Sequence, residues 1–190
     1  MKKLVIALGV SVLLGACAGS GMSNASNNSA ATPMVGGAPM YPTKDIVDNA
    51  VNSKDHTTLV AAVKAADLVA TLKSPGPFTV FAPTNASFAA LPAGTVDTLL
   101  KPENKATLTK VLTYHVVPGR MDSAALTSAI NAGGGKAMLK TASGGTLTAT
   151  MSGGTVWVTD AKGGTAAVTI ANVYQSNGVI HVVNKVLLPG

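Results

Sequence analysis

The segment Thr79–Phe88, which reads TVFAPTNASF, constrains the fold more than any other part of this 190-residue chain. Its first residues favour a half-buried β-strand, and Pro83 ends that strand because proline has no backbone N–H for the sheet. Thr84 or Asn85 can then cap the first free amides of a helix whose apolar side includes Phe88. The segment therefore predicts a strand that passes directly into a helix, and it holds no group suited to catalysis.

The chain around this segment divides into a helical part and a β-rich part. Between Asp45 and Leu112 apolar residues recur at helical spacing. Asp67 is placed to cap one of these helices, and Pro102 suits a first helical turn. The apolar clusters are Leu59, Val60 and Val63; Leu68, Val69 and Leu72; Val96, Leu99 and Leu100; and Leu108, Val111 and Leu112.

From Gly133 onward the pattern is typical of antiparallel strands. Glycine pairs separate Thr-rich segments of alternating pattern at a spacing of about ten residues. Asn177-Gly178 is the dipeptide best suited to a type I′ hairpin turn. The segment Ser123–Asn131 fits either a strand or a short helix, and the sequence leaves both open.

Two further segments follow Thr79–Phe88 in order, Tyr114–Gly119 (YHVVPG) and Asn177–Pro189 (NGVIHVVNKVLLP). Together the three segments resemble the fasciclin-like domain family, in the form of a bacterial lipoprotein-type member. The resemblance implies an α+β fold with a mainly β core, in which a wedge of two β-sheets has several helices packed around it. It also implies binding to proteins or surface polymers and no general enzymatic activity.

The resemblance also assigns roles to particular residues. Some animal members use the Tyr-His segment for receptor adhesion, so Tyr114 and His115 are candidate binding residues. If this segment is a strand, its side chains alternate and one of the two must point inward. The alternative is a neutral histidine whose hydrogen bonds tie strands together. The structural motif comprises Phe81, Pro83, Thr84, Asn85, Phe88, His181 and Asn184.

Asn184 departs from the family pattern, and His181 fits a buried position. The family often has aspartate where Asn184 stands, and an amide keeps the hydrogen bonds but loses the charge. A contact that depends on a carboxylate is therefore not expected there. His181 lies in a strongly apolar segment with Val179 and Val183, which favours a buried, hydrogen-bonded ring.

The N-terminus has the pattern of an exported bacterial lipoprotein. Two lysines precede the apolar run Leu4–Leu14, and the residues before Cys17 resemble a lipobox. The run is too short for a membrane span, which needs about 20 residues. We expect cleavage after residue 16 and acylation of Cys17 as a membrane anchor. An ordinary secretory signal is the alternative, while Ala18 favours the outer membrane under the sorting rule for Gram-negative lipoproteins.

Composition divides the remaining chain into a tether and one domain. Residues 17–42 comprise the lipidated cysteine and a segment rich in Ser, Asn, Ala, Gly and Pro. This segment lacks apolar periodicity and is predicted to be a disordered tether. Residues 43–190 are predicted to form the fasciclin-like domain, which is long enough to bury a core without staples. The single cysteine excludes an internal disulfide.

Charge and motifs argue against nucleic-acid binding, metal binding and catalysis. Without the two lysines of the signal, 12 basic residues stand against 8 acidic ones, and the lysines are scattered. No nucleophile elbow, zinc-protease helix or paired-cysteine metal site occurs, and Gly133–Ala137 lacks the spacing of a phosphate loop. We therefore expect no enzyme, no cofactor, no metal and no nucleic-acid partner.

Two functions remain from the sequence. The first is a non-enzymatic adhesion module, tethered to the membrane, that recognises a protein or polysaccharide at the cell surface or matrix. The second is a periplasmic or envelope binding protein for a small molecule or a partner subunit. Trp157 and Tyr174 are possible contact residues for this second function.

Overall fold

The computed structural model describes residues 32–190, so Cys17 and the predicted signal peptide lie outside the described residues. Two short 3-10 helices, Lys54–His56 and Pro102–Asn104, precede the second and sixth α-helices. No helix among residues 32–190 is long and apolar enough to cross a membrane. The α-helices are α1 (Ile46–Ala50), α2 (Thr57–Ala65), α3 (Val69–Lys73), α4 (Asn85–Ala89), α5 (Thr95–Leu100), α6 (Lys105–Tyr114) and α7 (Ser123–Ala132).

The helical half agrees with the apolar spacing, except at Asp67. The four apolar clusters fall in or beside α2, α3, α5 and α6, and the segment left open as strand or helix is α7. Asp67 does not cap α3, because its backbone is left-handed (φ 61°). It instead ends α2, where its own N–H donates to the Lys64 carbonyl and the Leu68 N–H donates to the Val63 carbonyl. These two bonds form a Schellman motif, which satisfies carbonyls at a helix end.

Seven strands form one continuous sheet in the order β4-β3-β9-β8-β7-β6-β5, and β1 and β2 form a separate hairpin. β3 and β9 are parallel, while the other neighbours are antiparallel. The Ala142 N–H donates to the Val116 carbonyl at 2.7 Å and so brings the two edges of the sheet together. The strands are β1 (Met34–Val35), β2 (Ala38–Pro39), β3 (Phe78–Pro83), β4 (Val116–Pro118), β5 (Lys136–Lys140), β6 (Thr146–Ser152), β7 (Thr155–Thr159), β8 (Thr165–Gln175) and β9 (Gly178–Val183).

The fold is therefore the expected α+β arrangement of sheets with helices packed around them. Its core has two parts, one on each face of β3. Val80 and Ala82 face the core shared with the helices α1, α2 and α6, whereas Phe81 faces the core shared with α7 and strands β5–β8. Alternation along the strand explains this division, because successive side chains leave opposite faces of a sheet.

The strand-to-helix corner at Thr79–Phe88 forms as predicted, with Thr84 as the cap. The Thr84 hydroxyl accepts the Ser87 N–H at 3.3 Å, and the Ser87 hydroxyl accepts the Thr84 N–H at 3.2 Å, which makes a capping box. Asn85 has another role, because its side chain accepts the Thr58 N–H at 3.0 Å and donates to the Lys54 carbonyl. Asn85 thus joins α4 to the start of α2.

The prediction of a disordered tether up to Pro42 is wrong for residues 33–42. β1 pairs with β2, and the Met40 N–H donates to the Pro33 carbonyl at 2.9 Å. Val35 and Met40 are buried in the core on the helical side. Because the hairpin is very short and contributes few apolar residues, its burial leaves no periodicity in the sequence.

The β8–β9 hairpin is real, but its turn is not Asn177-Gly178. Gln175 pairs with Gly178, so Ser176 and Asn177 form the turn, and neither of them has a positive φ. The Asn177 side chain makes tertiary contacts instead: its carbonyl accepts the Ile46 N–H at 3.1 Å, and its amide donates to the Leu72 carbonyl at 2.7 Å. A Cβ at Gly178 would lie 2.2 Å from the Phe78 carbonyl oxygen, so glycine is needed there for close strand packing.

Candidate binding groove

Tyr114 and His115 are both buried, so the strand alternation from which one of the two was expected to point inward is not what the structure shows. α6 continues to Tyr114, His115 caps it, and the strand begins only at Val116. Strand alternation therefore does not apply to this pair. The Tyr114 ring has no exposed surface, and its hydroxyl donates to the Thr146 carbonyl at 2.8 Å and accepts the Ala161 N–H at 3.0 Å.

His115 is a neutral ring that ties α6 to the C-terminal segment. Its Nδ1–H donates to the Val111 carbonyl at 2.8 Å, and its Nε2 accepts the Leu187 N–H at 2.9 Å. Burial lowers the pKa of His115 to about 4. A second proton would have to sit on Nε2, facing the Leu187 N–H. In this conformation neither Tyr114 nor His115 presents its side chain to a partner.

His181 and Asn184 also hold the fold together. The buried ring of His181 donates from Nε2 to the Met121 carbonyl at 2.8 Å and stacks on Phe81 with 5.7 Å between ring centroids. Its burial lowers its pKa. The Asn184 side-chain oxygen accepts the Ala167 N–H at 2.8 Å, a contact that an amide makes without a charge.

An open groove of about 820 Å³ lies between the residues that precede α1, the Ser74–Pro77 turn and the β8–β9 hairpin. The turn contributes two prolines and a glycine to one wall, and the hairpin contributes Ser176 and Asn177 to another. The hydrogen bonds of the Asn177 side chain to α1 and to the end of α3 join these walls. The charged side chains in the groove are Lys44, Asp45, Asp48, Lys73 and Arg120.

The charges of the groove are only partly compensated. Lys73 Nζ lies 2.6 Å from a carboxylate oxygen of Asp48 and 3.6 Å from one of Asp45. Its hydrogen bond to Asp48 lowers the pKa of that carboxyl and raises the pKa of Lys73. Lys44 and Arg120 add two further positive charges. Among the residues that line the groove, three cations stand against two carboxylates, while Asp122 lies outside it beside Tyr174; the excess in the lining favours an anionic ligand.

Two exposed tyrosine rings flank these cations. Lys44 Nζ lies 5.2 Å from the centroid of the Tyr41 ring, and the Arg120 guanidinium carbon lies 6.0 Å from that of Tyr174. The two rings are 43% and 40% exposed. Such cation–π pairs help to hold both partners in place, and the exposed part of each tyrosine remains accessible to a ligand. Arg120 is further fixed because it donates to the Gln175 carbonyl at 2.9 Å.

Sequence reasoning named Tyr174, which lies beside Arg120 but does not line the groove. It missed the groove itself, because the lining residues are spread from Thr43 to Asn177 and no local motif links them. Trp157 lies half-buried in β7 and is not among the groove residues. Within residues 32–190, no group of three or more His, Cys, Asp or Glu side chains is placed to hold a metal ion. The groove itself can offer hydrogen bonds and charge to a ligand, and exposed tyrosines lie beside two of its cations.

The fasciclin domain family model matches residues 54–189 of this chain. Protein sll1483 of Synechocystis sp. is 53% identical over 145 residues, which cover 76% of this chain and 73% of that protein. Immunogenic protein MPB70 of Mycobacterium bovis is 36% identical over 145 residues, covering 74% of this chain and 66% of the relative. A solved domain pair from the insect cell adhesion molecule fasciclin I superposes with a TM-score of 0.69 at 15% identity, over 76% of this chain and 51% of that one.

Proposed function

The chain belongs to the fasciclin domain family, and from this premise we propose that it is a non-enzymatic adhesion module that binds an anionic polysaccharide through the groove. The observation that carries the proposal is a groove whose lining has one cation more than carboxylates, with an exposed tyrosine beside Lys44 and another beside Arg120. A solved structure of the same fold comes from a cell adhesion molecule, which supports the adhesive role.

A polysaccharide suits the groove better than a flat protein surface does. Sugar rings present C–H groups that pack on the negative face of an aromatic ring, and their hydroxyls bond to polar side chains. Carboxylate or sulfate groups along the polymer would pair with Lys44 and Arg120. Because the groove is open and has a volume of about 820 Å³, it can hold a segment of a polymer rather than only a single small ligand.

Replacing Lys44 by glutamine should weaken binding of a polyuronate by about threefold to tenfold at low salt, because one exposed cation is lost. Lys162→Gln is the matched control, since Lys162 lies in the β7–β8 turn outside the groove. Binding of the full chain to polygalacturonate, measured by calorimetry at low and high salt, gives both affinities. Equal losses in the two variants would show a non-specific charge effect and contradict the proposal.

We also propose that the domain is held at the cell envelope through acylation of Cys17. This residue lies outside the described residues, and the proposal rests on the lipobox pattern. In a bacterial host that processes lipoproteins, Cys17→Ser should move the protein from the membrane fraction to the soluble one. Fractionation followed by immunoblotting measures this, and retention of the variant in the membrane fraction would refute the anchor.

A further inference from the structure

A second cavity, of about 80 Å³, lies between helices α2 and α3 and strand β3, and it shares no residue with the groove. Aliphatic side chains from the helices form most of its wall. The cavity is thus built from the apolar faces that also form the core on the helical side of the sheet. Its main aliphatic residues are Val47, Val60, Val63, Leu68, Leu72 and Val116.

The inner wall of this cavity offers no free polar side chain, because Lys64 and Thr71, which also line the cavity, are exposed residues. His115 contributes to the wall, but both of its ring nitrogens are bonded, to the Val111 carbonyl and to the Leu187 N–H. The hydroxyl of Thr113, another wall residue, donates to the Thr109 carbonyl at 2.7 Å. Water in an internal site needs at least two polar partners, whereas apolar cavities stay dry and accept hydrocarbons. The inner part of the cavity therefore suits a hydrocarbon chain.

The mouth of the cavity differs from its interior. Val60, Leu68 and Val69 are half-buried there, while Lys64 is exposed and also lines the cavity. None of the ion pairs among residues 32–190 involves Lys64. A lysine stem commonly lies along apolar surface and holds its ammonium in water. The cavity thus combines an aliphatic interior with a free positive charge at its opening.

We propose that this cavity binds the tail of an aliphatic monocarboxylate, a fatty acid, whose carboxylate lies beside the Lys64 ammonium. The ligand class follows from the two ends of the site, since the interior accepts only methylene and methyl groups and the mouth favours an anion. At about 80 Å³ the cavity has roughly half the volume of an engineered apolar cavity of about 150 Å³ that holds benzene, so it has room only for the last few carbons of an acyl chain. The rest of a medium-chain fatty acid would lie outside the cavity, between its mouth and the Lys64 ammonium.

Octanoate titrated into the ¹⁵N-labelled full-length chain is the direct test. The amide resonances of α2, α3 and β4 should shift on binding, while those of the β5–β7 hairpins should not. Octanol, which has the same tail without the charge, should bind about fivefold more weakly, the difference that one exposed ion pair of about 1 kcal/mol produces. Absence of shifts, or shifts confined to other parts of the domain, would overturn the proposal.

Three variants locate the site. Lys64→Gln should weaken octanoate binding by about fivefold and leave octanol binding unchanged, because only the charge is removed. Val60→Phe and Val69→Phe each place a ring in the cavity from a half-buried helical position and should abolish binding of both ligands. One of these two phenylalanine variants with a native-like NMR spectrum is enough for the test, so it can proceed even if the other variant does not fold. Wild-type affinity in a folded filling variant would overturn the site.

The groove provides an independent control. Lys44→Gln should bind octanoate like the wild type, because Lys44 lies in the groove and not in the cavity. Loss of octanoate binding in this variant would place the fatty acid in the groove and refute the cavity site. The two proposals therefore fail separately, because Lys64 does not line the groove and Lys44 does not line the cavity.

Discussion

Replacing Tyr114 by alanine should lower the free energy of unfolding by about 3–5 kcal/mol, the range observed for large aromatic side chains removed from a core. The ring is fully buried, and its hydroxyl joins α6 to the Thr146 carbonyl of β6 and to the Ala161 N–H after β7. The truncation therefore leaves a cavity together with two polar groups that have lost their partner. Denaturant unfolding followed by circular dichroism measures the loss.

Tyr174→Ala is the matched control for this change. Its ring is 40% exposed and its hydroxyl reaches only Asp122, at 3.2 Å, so we expect a loss of about 1 kcal/mol or less. Tyr114→Phe should cost about 1–3 kcal/mol, because it keeps the ring and removes only the hydroxyl. Equal stability losses in Tyr114→Ala and Tyr174→Ala would contradict the buried role of Tyr114.

These variants also separate a binding role of Tyr114 from a structural one. Because its side chain is buried, Tyr114→Phe should bind polyuronate like the wild type, whereas Tyr174→Ala removes a ring beside Arg120 and should weaken binding. Loss of affinity in Tyr114→Phe, with the fold intact, would return Tyr114 to the binding surface that the family resemblance implied.

Lowering the pH should reduce the free energy of unfolding already at pH values higher than those at which carboxylates titrate. The chain has three histidines, His56, His115 and His181, and burial lowers the pKa of each. In the folded state the neutral rings are favoured, so the unfolded chain binds protons first as the pH falls. The stability is fully present above the ordinary histidine pKa of about 6.5 and is lost progressively below it.

His115 alone accounts for a large part of this loss. With a folded pKa of about 4, it should lower the free energy of unfolding by about 2 kcal/mol between about pH 8 and pH 5. The other two histidines add to this loss in the same direction. Urea unfolding at a series of pH values measures how the free energy of unfolding changes with pH.

His115→Gln provides the comparison for the acid experiment. It should be less stable at about pH 8, because the bonds to Val111 and Leu187 are disturbed, but its stability should fall less steeply with acid. An unchanged free energy of unfolding between about pH 8 and pH 5 in the wild type, or an ordinary pKa for His115 by NMR titration, would refute the acid response.

The local elements could be predicted where the relevant information lies within a few residues. The helices α2, α3, α5 and α6, the glycine-separated strands and the corner at Thr84 follow from spacing, capping and proline, whereas the segment that forms α7 was left open. The prediction that Asp67 caps the start of a helix is wrong, because aspartate can also take the left-handed backbone found at a helix end. The prediction that Asn177-Gly178 forms the turn is wrong, because the Asn177 side chain instead makes hydrogen bonds to α1 and to the end of α3, which are remote in sequence.

The position of Tyr114 and His115 required the tertiary structure. α6 includes Tyr114 and ends at His115, so the tyrosine ring is carried into a buried pocket. Gly145 forms part of this pocket, and a side chain there would collide with the ring. The groove likewise needs the β8–β9 hairpin to lie beside α1 and the Ser74–Pro77 turn.

By itself the sequence determined the family, the α+β class and the order of most elements, because these depend on local pattern and on three motif segments in order. Only the tertiary structure decided which side chains are buried and which face outward together. The reason is physical, because these arrangements join residues that are distant along the chain and become adjacent only after folding. Examples are the hydrogen bond from the Leu187 N–H to His115 and the groove that includes Lys44 and Arg120.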